Sequence, residues 1–353
     1  MLTKVRYSTL DMVRWTMVEI LLLLGYAGVI TGLYVLAGLH FLRLPWAPVA
    51  VIGTAVAFIV GFQSNAAYGR IWEARKIWGG IVNASRAWAM RVKDCVTSEY
   101  ANEAIPEDEL EHHRQALVHR HLAWLTALRH AMRQSRPWEN FDEASSNRRW
   151  SRDLHIPERE ENLDELLGSL LGEAELERVC ASTNRPAALV FEQSRHLREL
   201  KEQGLVWEFS FLEMQGSLET LLELQGKSER IKNFPYPRQY ATIGYYFVRL
   251  FIFFIPFAAL PEFASIAASL EVEWPGLGKH FVWTAVPFSA LMSWIFHVME
   301  RIGRAGENPF QGSGNDVPIS TMARGIEIDL REMMGDPKDQ IPGQIPSPLN
   351  VQM

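Results

Sequence analysis

The stretch AVIGTAVAFIVGFQSNAAYGRIWEARKIW, residues 50–78, decides how this chain folds. Its first half has the composition of a membrane span. Its second half carries the Arg and Lys of a cytoplasmic boundary, and nothing between them breaks a helix. Gly53, Ala57 and Gly61 are spaced four apart on one stripe, which lets helices approach closely in lipid. Thr54, Phe58 and Phe62 form the adjacent stripe. If the helix packs against copies of itself around an axis, those three side chains line the hole.

Working outward, apolar runs at 20–41, 48–62, 241–260 and 281–299 give four candidate spans, each read against the roughly 20 residues a bilayer core requires. The second is short and crosses only if residues 63–68 extend it into water or a protein-lined channel. The third contains Arg249 and the fourth His297. An arginine at membrane depth costs at least ~2.5–3.5 kcal/mol, so both residues are expected as buried partners facing protein or water. The polar N-terminus has no cleavable-signal pattern, so the first run is expected to remain as a span.

Basic residues cluster before the first span (Lys4, Arg6, Arg14), after the second (Arg70, Arg75, Lys76, Arg86, Arg91), before the third (Lys227, Arg230, Lys232, Arg238) and after the fourth (Arg301, Arg304). The loop between the third and fourth spans carries Glu262, Glu271 and Glu273 against Lys279. By the positive-inside rule both termini are cytoplasmic, and two hairpins flank a large cytoplasmic insertion.

That insertion reads as amphipathic helices at 110–133, 162–182, 186–203 and 205–232, with a loop at 135–157. Asn184 or Thr183 caps the third of them ahead of Pro186. A further helix covers 319–334, and the proline-bearing tail from Asp336 reads as an extended arm. The expectation is an all-α integral membrane protein. Residues 1–78 form the first hairpin, 79–240 the cytoplasmic helices, 241–300 the second hairpin, 301–335 a cytoplasmic segment and 336–353 the tail.

Composition narrows the function. The 353 residues are 48% hydrophobic and their mean hydropathy is −0.05, which suits a part-embedded chain. A net charge of −6, from 35 basic and 41 acidic residues, gives a nucleic-acid role no support. Cys95 and Cys180 are isolated, so neither a disulfide framework nor a zinc site is expected. His112, His113, His119 and His121 place no pair four apart and read as a solvated helix face, not metal ligands. No paired carboxylates, HExxH, nucleophile elbow or phosphate loop supports an enzyme, and no cofactor is implied.

Three segments carry a family resemblance: GFQSNAAYGRIWEARKIWGGIVNASR at 61–86, NFPYPRQYA at 233–241 and ENPFQGSGNDVPISTMARGIEIDL at 307–330. In order and position against the spans they resemble the bacterial branch of the bestrophin family of pentameric ion channels. The resemblance is weak over 95–182 and absent in the tail. It implies a homopentamer in the cell membrane, which is the inner membrane in a Gram-negative bacterium. Inorganic monovalent ions and the lipid bilayer are its partners. The implied neck rings fall on Thr54, Phe58 and Phe62, where Thr54 departs from the bulky apolar residue usual at the first. A cytoplasmic aperture is implied at Ala187, or at Leu189 or Val190 in another register. Asn65, Tyr68, Arg70, Glu73, Arg75, Trp78, Asn308, Pro309, Phe310 and Asp316 belong to the family motifs. Asn65 and Tyr68 line the inner mouth or join helices, and Arg70 or Arg75 shapes the field of the pore. In animal relatives the segment after Asn-Pro-Phe is a calcium clasp. Here Asp316 is its lone carboxylate, so no calcium dependence is expected, and the segment caps a helix or joins subunits.

The implied activity is passive flux of anions such as chloride. A cation channel of the same fold is the alternative, and a transporter or scaffold stands further off. His40 and Arg43 at the outer mouth favour anions, whereas Glu262, Glu271 and Glu273 favour cations.

Overall fold

The computed structural model describes residues 1–4, 8–103, 105–139 and 154–353, so most of the expected loop at 135–157, and Arg6, lie outside it. Helix α1 covers Thr9–Trp15, α2 Met17–Val35, α3 Trp46–Cys95 and α4 Glu107–Arg133. Short helices α5 (Leu163–Gly168) and α6 (Glu173–Cys180) follow, then α7 (Arg185–Glu202) and α8 (Glu208–Asn233). The chain continues through α9 (Arg238–Glu273), α10 (Ala285–Ala305) and α11 (Ile319–Met334). Single turns lie at Pro157–Glu160 and Gly278–Phe281. Among the described residues the only β-type pairings are isolated bridges, Leu2 with Val351 and Val96 with Val206.

Four helices are long and apolar enough to cross a membrane: Met17–Val35, Trp46–Cys95, Arg238–Glu273 and Gly278–Ala305. Helix α3 is the mast of the molecule. Between Pro48 and Pro106 no proline interrupts it, and it runs for 50 residues, about 75 Å at 1.5 Å per residue. That is more than twice a hydrocarbon core of ~30 Å, so its second half leaves the bilayer. In the apolar half it packs on α9 and α10, and α10 in turn carries α2. In the polar half it packs on α8 and α11.

The main core lies outside the apolar spans, around Trp78, Trp88, Trp124, Leu117, Leu128 and Leu218. Helix α4 runs through its centre, and from Leu117 onward nearly every residue is buried. Full burial explains why α4 departs from a solvated histidine face. His121 is 2% exposed, against the expectation, and burial pushes its imidazole down to about 3. His113 Nδ1 lies 3.2 Å from His196 Nε2 across the contact with α7.

Two other expectations are corrected. The stretch 162–182 is two helices, because the chain turns between Gly168 and Gly172, where Asn162 caps the first helix and Gly172 starts the second. The tail is largely irregular but does not end free. Val351 and Met353 are each 2% exposed, packed with Leu2, Leu154 and Ile156. The Thr321 amide donates to the Met353 carbonyl.

Candidate functional site

Thr54, Phe58 and Phe62 sit on a side of α3 that the described residues leave exposed. Phe58 is 65% exposed and Phe62 72%. The opposite side, Val49, Val56 and Val60, is buried against Val248, Phe251 and Ile255 of α9. Gly53 belongs to that contact, since a Cβ there would stand 2.6 Å from the Phe251 ring. Gly61 is open, with nothing within 4 Å of a built Cβ. The small-residue stripe therefore serves α9 at one end and is unpartnered at the other. A groove of about 750 Å³ runs beside it, lined among others by Trp46, Thr54, Phe58, Phe62, Phe251 and Phe296.

The Thr54 hydroxyl donates to the Ala50 carbonyl at 3.0 Å, satisfying its proton on its own helix. The departure from a bulky apolar side chain therefore adds little free polarity. Below Phe62 the exposed face continues through Asn65, Gly69, Trp72 and Lys76. At 100° per residue these positions and the three above fall within an arc of about 80°. Tyr68 lies beside the arc, stacked on Trp72 at 6.4 Å. Lys76 forms no ion pair among the described residues, and Arg75 contacts the Met1 sulfur.

The remaining motif residues fasten α3 to the rest of the chain. Arg70 Nε donates to the Glu307 carbonyl at 2.8 Å, and its Nη2 donates to Ile231 and Phe234 carbonyls at 3.1 and 2.9 Å. Its fork is thus spent on the α8–α9 junction and the segment after α10, which corrects its expected role in the field of the pore. Gln63 Nε2 donates to Glu307 Oε1 at 3.1 Å. Gly244 makes room for that amide, because a Cβ there would meet Gln63 Oε1. Burial pushes the Glu307 carboxyl up, opposed by Gln63 and nearby arginines. Glu73 pairs with Arg230 at the surface. Trp78 packs on Phe310 with centroids 6.4 Å apart, and Asn308 and Pro309 are buried beside it.

Asp316 closes its own loop. Its Oδ2 accepts the Gly312 and Ser313 amides at 2.7 and 3.0 Å, and the Ser313 hydroxyl donates to Oδ1. Arg133 stands 3.8 Å away. Burial pushes this carboxyl up, and Arg133 with those hydrogen bonds opposes it. The residue does not cap α11, whose first turn receives no side-chain cap. Among the described residues no group of three His, Cys, Asp or Glu is placed to hold a metal ion.

At the expected aperture the Asn184 side chain accepts the Ala187 amide, fixing the start of α7. Leu189 and Val190 are 0% and 4% exposed and belong to the main core, so neither register can form a ring. Ala187 is half-buried, and four residues on lies Phe191, 68% exposed. The i,i+4 step from Ala187 was the signal that could have found it. Arg249 is another correction. It is exposed, with its guanidinium 4.1 Å over the Tyr245 ring. His297 Nε2 is buried and finds no hydrogen-bond partner. Glu271 accepts the Gly276 and Lys279 amides and so staples its own loop.

The family model described as bacterial/fungal bestrophin protein matches residues 2–271 and 275–332. The voltage-dependent anion channel-forming protein of Ralstonia nicotianae is 28% identical over 295 residues, 84% of this chain and 79% of its own length. That of Escherichia coli K12 is 25% identical over 313 residues, 86% of this chain and 84% of its own. Among solved structures, a bacterial bestrophin homologue from Klebsiella pneumoniae has a similar fold. Its TM-score is 0.67 at 22% identity, covering 91% of this chain and 99% of that one.

Proposed function

This chain belongs to the bacterial and fungal bestrophin family, and from that premise we propose that it is an anion channel whose neck is lined by α3. Relatives of similar length carry the name of voltage-dependent anion channel-forming proteins, which supports anions as the permeant class. The observation that carries the reading is the uncovered stripe Thr54–Phe58–Phe62, which has no partner within one chain. Two exposed phenyl rings on a membrane helix, backed by a fully packed opposite face, call for copies of the same helix. Five copies around one axis enclose a narrow apolar neck. Both termini lie in the cytoplasm, by the distribution of Lys and Arg, and in a Gram-negative cell the membrane is the inner one.

No bond is made or broken. Ions move down their gradient, and the neck closes by dewetting between apolar rings. The edges of the phenyl rings carry the positive part of their quadrupole, so five Phe58 edges partly offset the hydration an anion loses. Below the neck the same arc ends at Lys76, whose uncompensated charge favours anions in the vestibule. At the far end, Ala187 and Phe191 on α7 are the residues for the cytoplasmic aperture. Flux through liposomes containing Phe58→Ala tests the neck. The expected result is increased flux with weaker discrimination against potassium. Unchanged conductance and selectivity would remove α3 from the neck.

A further inference from the structure

Arg249 is a charged residue inside a membrane helix that one chain leaves uncovered. Its direction is fixed by its neighbours on α9. Phe251 fills the space at Gly53 of α3, and Arg249, two residues away, points about 160° round the helix from it. It therefore faces away from the neck stripe. Tyr245 and Phe253, one turn to either side, share its face. The Phe253 ring stacks with Tyr26 of α2 at 6.1 Å, and the Tyr245 ring carries Arg304 of α10 at 5.4 Å. Arg249 thus looks into the angle between α2 and α9, above α10.

That angle is open and apolar on its walls. Helices α2 and α9 run the same way, so Leu22, one turn before Tyr26, stands level with Arg249, one turn before Phe253. Leu22 is 68% exposed and Val18, one turn further on, 52%. On α9, Leu250 is 46% and Phe253 50% exposed. The floor is charged. Arg301 is paired with Glu19 at 2.9 Å, and Arg304 faces Glu300 at 3.6 Å. Among the described residues Arg249 has no carboxylate within ion-pair distance, although Glu300 lies within its electrostatic reach. Of the three guanidiniums Arg249 is the exposed one, set against a tyrosine ring at the mouth of this groove.

We propose that Arg249, with Tyr245 and Arg304, binds the phosphate of an anionic phospholipid of the cytoplasmic leaflet, whose acyl chains lie along Leu22, Leu250 and Phe253. The planar fork of Arg249 suits a phosphate bidentately. A lipid phosphate also supplies an anion in direct contact with this guanidinium at a depth where lone charges are costly. The proposal rests on the membrane-spanning fold and not on what the protein conducts.

The test is titration of the purified protein in mild detergent with dioleoylphosphatidylglycerol, dioleoylphosphatidylcholine or inorganic phosphate, reading the melting midpoint and the elution volume. Phosphatidylglycerol is expected to raise the wild-type midpoint saturably, phosphatidylcholine to do so much less, and inorganic phosphate not at all. In Arg249→Leu the half-saturating phosphatidylglycerol concentration is expected to rise about tenfold, from loss of one charge-assisted pair. Equal half-saturation in both proteins would overturn the proposal. So would a midpoint raised equally by inorganic phosphate, which means a free-anion site. Dissociation of Arg249→Leu into smaller species at every lipid concentration would also overturn it, placing the residue between subunits. If Arg249→Leu does not fold, Arg249→Lys decides, since it keeps the charge and loses the fork. Several-fold weaker phosphatidylglycerol binding is expected, and an unchanged response overturns the site.

Discussion

Arg70 shows how one side chain fixes the register of a 50-residue helix. Three carbonyls from two distant segments converge on its guanidinium, so the point where α3 leaves the membrane is tied to the α8–α9 junction and to Glu307. A buried carbonyl left without a donor costs about 1–3 kcal/mol. Arg70→Ala is therefore expected to lower the melting midpoint by several degrees and leave the reversal potential where it was. A displaced reversal potential at unchanged stability would instead make Arg70 a charge of the pore. Lys76 is the contrasting case. It shares the arc of the neck residues and is exposed, so its charge is available to ions.

Individual helices show where sequence reading reached and where it stopped. The ends of α11 are those expected, because an amphipathic run between Pro318 and Gly335 has clear punctuation at both ends. The continuity of α3 was equally legible, since nothing in 50–78 interrupts a helix. For the aperture, the structure buries the two alternative registers, Leu189 and Val190. Choosing between Ala187, Leu189 and Val190 requires knowing which side of α7 meets α4, and that contact is between segments some 70 residues apart. On α4, His112 is exposed as expected, but His121 was misread for the same reason. Charged and polar side chains along 107–133 suggest solvent, but their partners come from α6, α7 and the turn at 157–160. Arg129 binds Glu158 and Glu161, and Arg120 binds Glu175.

One of those contacts makes the α4–α7 joint sensitive to acid. Arg120 only donates, so His196 Nδ1 accepts from it at 3.0 Å, which places the His196 proton on Nε2, directed at His113 Nδ1. Both rings must be neutral for this chain of bonds. Burial, then Arg120 and neighbouring basic groups, push His196 down to about 3, and burial with His112 lowers His113. Folded values below the unfolded value of about 6.5 mean that the unfolded chain binds more protons in acid. The stability is complete above pH 6.5 and falls as the pH drops from there toward about 3. His121, also held near 3, acts in the same direction. The melting midpoint is expected to fall between pH 7.5 and pH 5, and to fall less in His196→Asn. Equal falls in both proteins would show that the pair carries none of the acid sensitivity.

In the whole molecule, two surfaces that one chain leaves uncovered have different chemistry. The stripe of Thr54, Phe58 and Phe62 on α3 ends in a cation, and it faces away from the angle between α2 and α9. Further copies of the chain are the proposed cover of the first, and lipid of the second. The main core, with its buried tryptophans and ion pairs, packs on the polar half of α3. In the proposed channel permeation is a property of assembled α3 helices, and Glu271 is engaged with its own loop. The most direct test is the reversal potential across liposomes holding the purified protein under a potassium chloride gradient. The account predicts reversal near the chloride equilibrium value. Reversal near the potassium value would contradict it.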